Sequence, residues 1–559
     1  MRRKRRNFFV GIAYLACAVF CLPILGKQSN NSGATSEQSF RVAGVAVDAN
    51  TGSPLSKARV SLASTRNRKE SIWVITREDG RFEFTGLAAG KYALQGAKTG
   101  YIAAAYEQHE QFSTAIVTGQ EFDTQNLRLR LVPMATITGT VIDENGEGVR
   151  NARVMLYKES HQGGATRIMR TSGAGTDDEG TFEFTPLGPG KYFVSVTAKP
   201  WYAIHPPSPV KVRGSQSAET ADRSLDAVYP TTFSGGATDS DAAEAIFIKG
   251  GDHKQVDIHL NPVQALHVFV RFEAKGEQGR GPALTFQKRV FDSQEHVPLQ
   301  YSQTSSAPGV VELDGIPPGR YSVRMAGNGS EQTELSSEID VNKDGQDLDE
   351  SKAEPLGRVK ISLKAANDES LPKQIQVGLM DEQQNAMMVF NPDVTNSEVT
   401  FENLPARKYA IQVFSPAKRY SVVRLASGDT QLPGPEFTLV SGESRDWTAV
   451  LAEGKTRIEG FVKLGDKAAS GVMVVLIPKE PETHQDLFRR DQSDSDGSFA
   501  LPNVIPGVYT VVAVEDAWGF DWSKPNLLSH YAEHGQTLTI GELMQGAVFL
   551  PDPVEVQPR

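Results

Sequence analysis

Residues 182–192 read Phe-Glu-Phe-Thr-Pro-Leu-Gly-Pro-Gly-Lys-Tyr: two phenylalanines separated by one residue, a turn rich in proline and glycine, and a tyrosine that opens the next stretch. Units with the same layout stand at residues 82–92, 311–321, 399–409 and 499–509. In every copy the second apolar residue precedes the tyrosine by eight positions. Because different residues keep one spacing, the sequence predicts a single supersecondary unit repeated along an array of small β domains.

The distances between these tyrosines indicate the size of each domain. Tyr92, Tyr192, Tyr321, Tyr409 and Tyr509 lie 100, 129, 88 and 100 residues apart in a chain of 559 residues. An immunoglobulin-like sandwich has about 100 residues, and a chain of this length is too long for one core. The chain also has 50 glycines, 31 prolines and no sustained helical periodicity. It is therefore predicted to be all-β, with about five tandem immunoglobulin-like sandwiches.

The residues after each tyrosine alternate between apolar and polar types, as in a half-buried strand. After the third unit, for example, Tyr321, Val323 and Met325 share one face. The tyrosine is therefore predicted to point into the core and to donate its hydroxyl to a backbone carbonyl of the preceding turn, as in a tyrosine corner. Three units also follow an acidic residue and a glycine, which favour a tight hairpin. These pairs are Asp79-Gly80, Glu179-Gly180 and Asp496-Gly497.

Turn signals and short linkers set the predicted domain limits. The five sandwiches are predicted at residues 40–132, 134–262, 264–352, 357–452 and 456–552. The second contains a long insertion at residues 200–245. The third and fourth lack the acidic–glycine hairpin, so their limits depend mainly on the tyrosine unit. Links of a few residues predict a semi-rigid rod of domains.

The N-terminus has the pattern of an export signal. Five basic residues precede an uncharged apolar run at residues 8–25, so residues 1–26 are predicted to be a signal peptide or a membrane anchor. A run of this length is at the lower limit for a membrane span, which keeps the uncleaved anchor as an alternative. Residues 27–39 are predicted to be a disordered linker.

Charge and cysteine content exclude several functions. The net charge is −10, and removal of residues 1–26 lowers it to −15, which argues against nucleic acid as a partner. Both cysteines, Cys17 and Cys21, lie in the leader. The mature chain would then have no disulfide, no cysteine nucleophile and no thiolate metal site.

Residues 137–192 resemble the carboxypeptidase regulatory-like domain. The matching segments are Ile137-Thr138-Gly139-Thr140-Val141, Ala152-Arg153-Val154, Gly180-Thr181-Phe182-Glu183-Phe184 and Leu187-Gly188-Pro189-Gly190-Lys191-Tyr192. The resemblance extends to the first and fifth repeats and is weaker in the third and fourth. It implies a transthyretin-like sandwich of seven strands, grouped with carbohydrate-binding-like folds. It also implies a non-catalytic module, of a type that occurs beside carboxypeptidases and on outer-membrane transporters.

Sequence templates for catalysis are not met. The chain contains neither His-Glu-x-x-His nor Gly-x-Ser-x-Gly, the patterns typical of metallopeptidases and serine hydrolases. No catalytic, cofactor-binding or metal-binding residue is therefore predicted, and the protein is expected not to be an enzyme.

Aromatic residues that follow two of the tyrosine strands are the candidate binding residues. Sugars present apolar C–H faces that stack on indole rings, and nearby carboxylates bind their hydroxyls. The alternative is that these aromatic side chains close the end of their own sandwich or pack on the next domain. The candidates for carbohydrate binding are Trp518, Trp522, Tyr531, Asp516 and Asp521 in the fifth domain, and Trp201 and Tyr202 in the second.

The sequence as a whole predicts a non-enzymatic, exported scaffold or adhesion protein, with carbohydrate as its candidate ligand. The expected partner is a polysaccharide or a cell-surface protein, and membrane contact is expected only through residues 1–26 if they are not cleaved. The expected location is the periplasm, the cell surface or the medium. The alternative is an accessory-module protein that serves a separate extracellular hydrolase or an outer-membrane transport system.

Overall fold

The computed structural model describes residues 39–559, except for residues 68, 121, 162–163, 206–222, 273–282, 298–302, 308, 327–333, 373, 382–385, 390–396, 417 and 523. Three predicted segments lie wholly or partly outside the described residues. They are the signal segment 1–26, the linker 27–39 except for residue 39, and the insertion 200–245, of which residues 206–222 are not described. Within the described residues, no helix is long and apolar enough to cross a bilayer. The described chain forms tandem β-sandwiches, so the predicted fold class is confirmed.

The first sandwich contains strands β1 (Phe40–Asp48), β2 (Arg59–Ser64), β3 (Ser71–Ile75), β4 (Arg81–Leu87), β5 (Gly90–Ala97), β6 (Tyr101–Ile102), β7 (Ala104–Ala105), β8 (Ile116–Thr118) and β9 (Leu127–Pro133). One sheet has the order β4-β1-β9-β6. The other has the order β3-β2-β5-β7, with β8 also paired to β5.

The second sandwich contains β10 (Ala135–Ile142), β11 (Arg153–Ser160), β12 (Arg167–Gly175), β13 (Thr181–Leu187), β14 (Gly190–Thr197), β15 (Ala227–Val228), β16 (Thr232–Phe233), β17 (Ile246–Ile248), β18 (His253–Gln255) and β19 (Ile258–His259). Its sheets have the orders β13-β10-β18 and β12-β11-β14-β16. Strand β19 joins β10, and β17 joins β14.

The third sandwich contains β20 (Val263–Gln264), β21 (Leu266–Arg271), β22 (Ala283–Val290), β23 (Ser293–His296), β24 (Gln303–Ala307), β25 (Val310–Ile316), β26 (Gly319–Ala326), β27 (Glu334–Val341), β28 (Gln346–Asp349) and β29 (Glu354–Pro355). Its sheets have the orders β24-β25-β21-β28 and β23-β22-β26-β27-β29. Strand β20 pairs instead with β15 of the second sandwich.

The fourth sandwich contains β30 (Gly357–Ala365), β31 (Gln376–Asp381), β32 (Ala386–Val389), β33 (Glu398–Leu404), β34 (Arg407–Phe414), β35 (Tyr420–Ser427), β36 (Thr430–Pro433), β37 (Glu436–Leu439) and β38 (Ser444–Glu453). One sheet has the order β33-β30-β38-β35-β36. The other has the order β32-β31-β34-β37.

The fifth sandwich contains β39 (Thr456–Leu464), β40 (Lys467–Ala468), β41 (Met473–Pro478), β42 (Arg489–Gln492), β43 (Ser498–Val504), β44 (Gly507–Val514), β45 (Gln536–Ile540), β46 (Gly546–Phe549) and β47 (Val554–Gln557). Strand β47 runs parallel to both β39 and β44 and so connects its two sheets. The helix α1 (Pro525–Ala532) lies between β44 and β45. Short 3-10 turns lie at Arg223–Leu225, Ser240–Ala242, Glu350–Lys352, Gln485–Leu487 and Ala517–Gly519.

The opening strand has the same pairing in all five sandwiches. It runs antiparallel to the strand that carries the paired apolar residues, with a bulge near its start, and parallel to a strand late in the domain. The second apolar residue of each unit therefore faces the same position in every copy. The pairs are Val42↔Phe84, Ile137↔Phe184, Val268↔Leu313, Val359↔Phe401 and Ile458↔Leu501.

Each tyrosine of the repeated unit forms the predicted corner. Its hydroxyl donates a hydrogen bond to the backbone carbonyl four residues earlier. The bonds are Tyr92 to Ala88 at 3.0 Å, Tyr192 to Gly188 at 2.8 Å, Tyr321 to Pro317 at 2.7 Å, Tyr409 to Pro405 at 2.8 Å and Tyr509 to Ile505 at 3.1 Å. The last four rings are at most 3% exposed, so each bond satisfies a polar group inside a hydrophobic core.

The sandwiches do not form the rod that the short linkers predict. The fifth sandwich returns to the first, and Lys91 Nζ lies 2.6 Å from Asp494 Oδ2. The second and fifth also meet, where Thr166 N donates to Asp521 Oδ1 at 2.7 Å. Linker length limits how far neighbours can separate, but it does not fix the direction in which each domain turns. Contacts between distant domains therefore decide the arrangement.

We expect the tyrosine hydroxyl to matter most where water cannot replace it. Tyr509→Phe should destabilise the fifth sandwich by about 1–3 kcal/mol, because the Ile505 carbonyl would be left without its donor in the core. Tyr92→Phe should cost less, about 0.5 kcal/mol, because its bond is exposed and Thr118 Oγ1 also donates to Ala88 O at 2.9 Å. Hydrogen exchange of the strand amides in each sandwich measures both effects. Equal costs in the two sandwiches would contradict this account.

Candidate functional site

The contact between the first and fifth sandwiches, here called the closing contact, is built from hydrogen bonds to one loop of the fifth. Asp494 Oδ1 accepts a bond from Ala115 N at 2.9 Å while its other oxygen pairs with Lys91. Ser495 Oγ accepts a bond from Val117 N at 2.8 Å, and Ser495 N donates to Ala115 O at 3.0 Å. The edge strand of the first sandwich is thus bound by side-chain and backbone groups together.

Aromatic and charged side chains extend the closing contact. The indole of Trp518 stacks on the His109 ring with 4.8 Å between centroids and 4° between planes. Phe112 lies 5.7 Å from the same indole. Arg490 pairs with Glu110 at 2.9 Å, and both side chains are almost fully buried. Loss of either partner would leave an uncompensated charge in the contact and should therefore weaken it.

Three further candidates of the fifth domain, Trp522, Tyr531 and Asp521, also have partners within the protein. Trp522 is 9% exposed and lies under the Arg490 guanidinium, 4.3 Å from the ring centroid. Tyr531, on α1, is 8% exposed. Asp521 accepts hydrogen bonds from Thr166 N and Thr166 Oγ1. The hydrogen bond from Lys524 and these two bonds lower the pKa of Asp521 to about 2. Asp516 is exposed beside the turn Ala517–Gly519.

Of the two tryptophans predicted to offer an open sugar-binding surface, Trp522 is therefore buried and Trp518 is partly buried. The first sandwich packs over Trp518, and Arg490 packs over Trp522. Trp518 thus packs on another domain, the first in the chain, whereas Trp522 packs within its own domain. Sequence reasoning missed this outcome because His109 and Trp518 are distant in sequence. The interpretation of both rings as a carbohydrate surface stays a prediction.

Trp201 has the opposite environment. Its side chain is 83% exposed, and its ring meets Tyr202 edge to face at 5.8 Å. The Tyr202 hydroxyl donates to Glu144 Oε1, and Tyr229 donates to Glu144 Oε2 at 2.6 Å. These two bonds hold the pKa of Glu144 below its usual value despite partial burial. The loop below Trp201 is thus anchored, while the indole face itself is open to solvent.

A groove lies beside this loop, between the second and third sandwiches, and is here called the 2–3 groove. The two sandwiches are joined by Phe291 of the third, whose ring inserts between Tyr157 and Phe193 of the second at 5.0 and 4.8 Å. The groove has a volume of about 350 Å³, and Pro200, directly before Trp201, lines it. Its cationic lining residues are Arg150, Arg153, Lys199 and Lys288.

Sequence analysis did not identify these four cations. Three belong to the second sandwich and Lys288 comes from the third, so no single repeat contains the set. The packing of Phe291 on the second sandwich places Lys288 beside the three cations of that sandwich. A local motif could not have revealed them, because the groove exists only between domains.

A larger cleft of about 1130 Å³ lies between the fourth and fifth sandwiches. Gln374, Gln376, Gln412 and Asn503 contribute amides to its lining, and Phe414 is a half-exposed aromatic side chain at its edge. Burial raises the pKa of Asp486, which also lines the cleft. In the described residues, no group of three His, Cys, Asp or Glu side chains is placed to hold a metal ion.

Removing the lysine of the closing contact should loosen it without unfolding either sandwich. Lys91→Ala is expected to raise the exchange rates of the Ala115 and Val117 amides about tenfold, because a charge-assisted hydrogen bond is worth about 1.5 kcal/mol. Both amides donate to the fifth sandwich. Arg77→Ala, at an exposed position of the first sandwich, is the control. Unchanged exchange in Lys91→Ala would show that the contact does not depend on this pair.

The acid Asp491 should make the fifth sandwich less stable as pH rises from 4 to 6. Burial raises its pKa to about 6 from an ordinary 3.8, although Ala500 N donates to it. The folded state then binds more protons than the unfolded state in this window, so the free energy of unfolding falls with rising pH. Asp491→Asn should remove about 1.4 kcal/mol per pH unit from that slope. Urea unfolding followed by tryptophan fluorescence measures it, and an unchanged slope would contradict the assignment.

Solved structures similar to this chain include the Bacillus anthracis TIE protein, at 11% identity and a TM-score of 0.18, covering 75% of this chain and 76% of that one. A streptococcal ancillary pilin matches at 12% identity with a TM-score of 0.19, and the match covers 53% of this chain and 100% of the pilin. Two B repeat units of the collagen binding protein of Staphylococcus aureus match at 14% identity with a TM-score of 0.13. This match covers 74% of this chain and 99% of the two repeat units. Scores this low give no argument about function. No curated protein matches the chain.

Two family models match individual sandwiches. Residues 453–534 match the second beta sandwich domain of the BOS complex subunit NOMO1-like family. Residues 41–131 and 136–221 each match the carboxypeptidase regulatory-like domain. These two segments cover most of the first sandwich and the part of the second up to residue 221, which contain the tyrosine corner, the bulged opening strand and the acidic–glycine hairpin. Two consecutive segments of the chain are therefore similar to the carboxypeptidase regulatory-like domain.

Proposed function

We propose that this protein is an exported, non-enzymatic scaffold or adhesion protein that binds carbohydrate at Trp201. The observation that carries the proposal is the 83% exposure of this indole. An indole whose face is open to solvent can stack on the apolar C–H face of a sugar. Tyr202 and Glu144 stabilise the loop below it, so the stacking face is presented in a defined position.

The arrangement of the sandwiches supports the scaffold part of the proposal. Each described sandwich has its own hydrophobic core, and the closing contact restrains the ends of the array. A binding surface on such a framework loses little conformational entropy when a ligand binds. The basic and apolar pattern of residues 1–26 supports export, which would place the protein in contact with extracellular polysaccharide.

Among the tryptophans of this chain, Trp201 and Trp73 are the most exposed, which provides a matched pair for a test. Trp73 is 44% exposed, and the guanidinium of Arg59 lies over its ring at 5.2 Å. Its face is thus partly occupied by protein. Trp201→Ala should remove stacking and weaken binding, whereas Trp73→Ala should not.

The experiment is a glycan array and affinity electrophoresis with the full chain, Trp201→Ala, Trp73→Ala and Phe414→Ala. The wild type is expected to retain at least one polysaccharide, and Trp201→Ala should weaken that binding about tenfold, because stacking on an aromatic face contributes about 1–2 kcal/mol. Loss in Phe414→Ala alone would assign binding to the cleft between the fourth and fifth sandwiches and contradict the proposal. Retention of no glycan by the wild type would also contradict it.

A further inference from the structure

The 2–3 groove has an unusual charge for this protein. The chain carries a net charge of −10, yet four cations line a cavity of about 350 Å³. A small cavity at a domain junction with convergent polar groups is a typical ligand site. Its charge therefore indicates which ligands it would accept.

The cations of the groove are only partly neutralised by the described residues. The pair between Arg150 and Asp178 is largely exposed to solvent and so contributes little. Lys288 Nζ donates to a backbone carbonyl, Thr238 O, at 3.2 Å. Burial lowers the pKa of Lys288, and Asp239 offsets this only in part. Lys288 is therefore an ammonium held near the groove without full compensation.

A buried carboxylate near this set, Glu295, interacts with Arg153 but already has other partners. Glu295 lines a small cavity that shares Arg153 and Lys288 with the groove. Its Oε2 accepts from the Tyr157 hydroxyl at 3.2 Å and lies 3.9 Å from Arg170. Burial raises the pKa of Glu295, which weakens it further as a counter-charge. An anionic ligand would supply the negative charge that balances these cations.

We propose that the 2–3 groove binds the carboxylate of an acidic sugar, so that the ligand at Trp201 is a glycan containing uronic acid. This inference rests on the proposed carbohydrate binding and adds its chemical class. Arg153 can donate two parallel hydrogen bonds to a carboxylate, and Lys288 adds a point charge. Because Pro200 lines the groove and Trp201 follows it, one ligand can reach both the cations and the indole.

The test is calorimetry on the full chain with three probes: a tetramer of galacturonic acid, its methyl ester and inorganic phosphate. The ester has the same sugar rings without the charge. The tetramer is expected to bind at least tenfold more tightly than its ester, and phosphate alone is expected to bind weakly. Arg153→Gln and Lys288→Gln should each weaken binding of the tetramer about tenfold and leave the ester unchanged.

Three further variants separate charge, stacking and folding. Lys288→Arg keeps the charge and should keep most of the affinity. Trp201→Ala should weaken binding of both tetramer and ester. Lys254→Gln, at an exposed lysine of the same sandwich outside the groove, should have no effect.

Each adverse outcome has a distinct meaning. Equal binding of tetramer and ester, unaffected by Arg153→Gln, would overturn the acidic-sugar inference and leave the carbohydrate proposal standing. Phosphate that binds as tightly as the tetramer, with no effect of Trp201→Ala, would show an anion site unrelated to sugars and would also overturn the inference. Binding of no probe would overturn the inference, while the glycan array alone would decide the proposed function.

Discussion

The hydrogen bond from a tyrosine hydroxyl to the carbonyl four residues earlier, buried or partly buried in all units but the first, is the constraint on which the rest of the structure depends. It occurs in all five units, at 2.7–3.1 Å. The bond fixes the turn before the tyrosine strand, and the turn fixes where the paired apolar residues meet the opening strand. Because both sheets of each sandwich depend on that register, one local bond sets the geometry of a whole domain.

Because the five sandwiches share the tyrosine corner and the pairing of the opening strand, their function depends on the features in which they differ. The segments after the second and fifth tyrosine strands both carry tryptophan, but the first sandwich covers Trp518 while Trp201 is open. Similarly, the insertion of Phe291 into the second sandwich creates a groove that no sandwich contains alone. The domain contacts therefore decide which aromatic side chains are structural and which are available to a ligand.

The sequence was sufficient for the fold because the informative contacts are local. The tyrosine and its acceptor are four residues apart, and the hairpin glycines at Gly80 and Gly180 adopt the positive φ that their neighbours predicted. The sequence was insufficient to predict how the five sandwiches pack on one another and where the 2–3 groove lies. Lys91 and Asp494 are 403 residues apart, and the groove cations come from two domains. No periodicity or motif connects such residues, because their contact depends on how whole sandwiches pack.

A zero-length cross-link tests the closed arrangement most directly. A carbodiimide joins an amine and a carboxylate only when they touch, and Lys91 Nζ lies 2.6 Å from Asp494 Oδ2. After treatment of the monomeric full chain and proteolysis, mass spectrometry should detect an amide between the peptides that contain these two residues. Its absence from the monomer, or its presence only in cross-linked oligomers, would contradict the closed arrangement and would favour the extended rod.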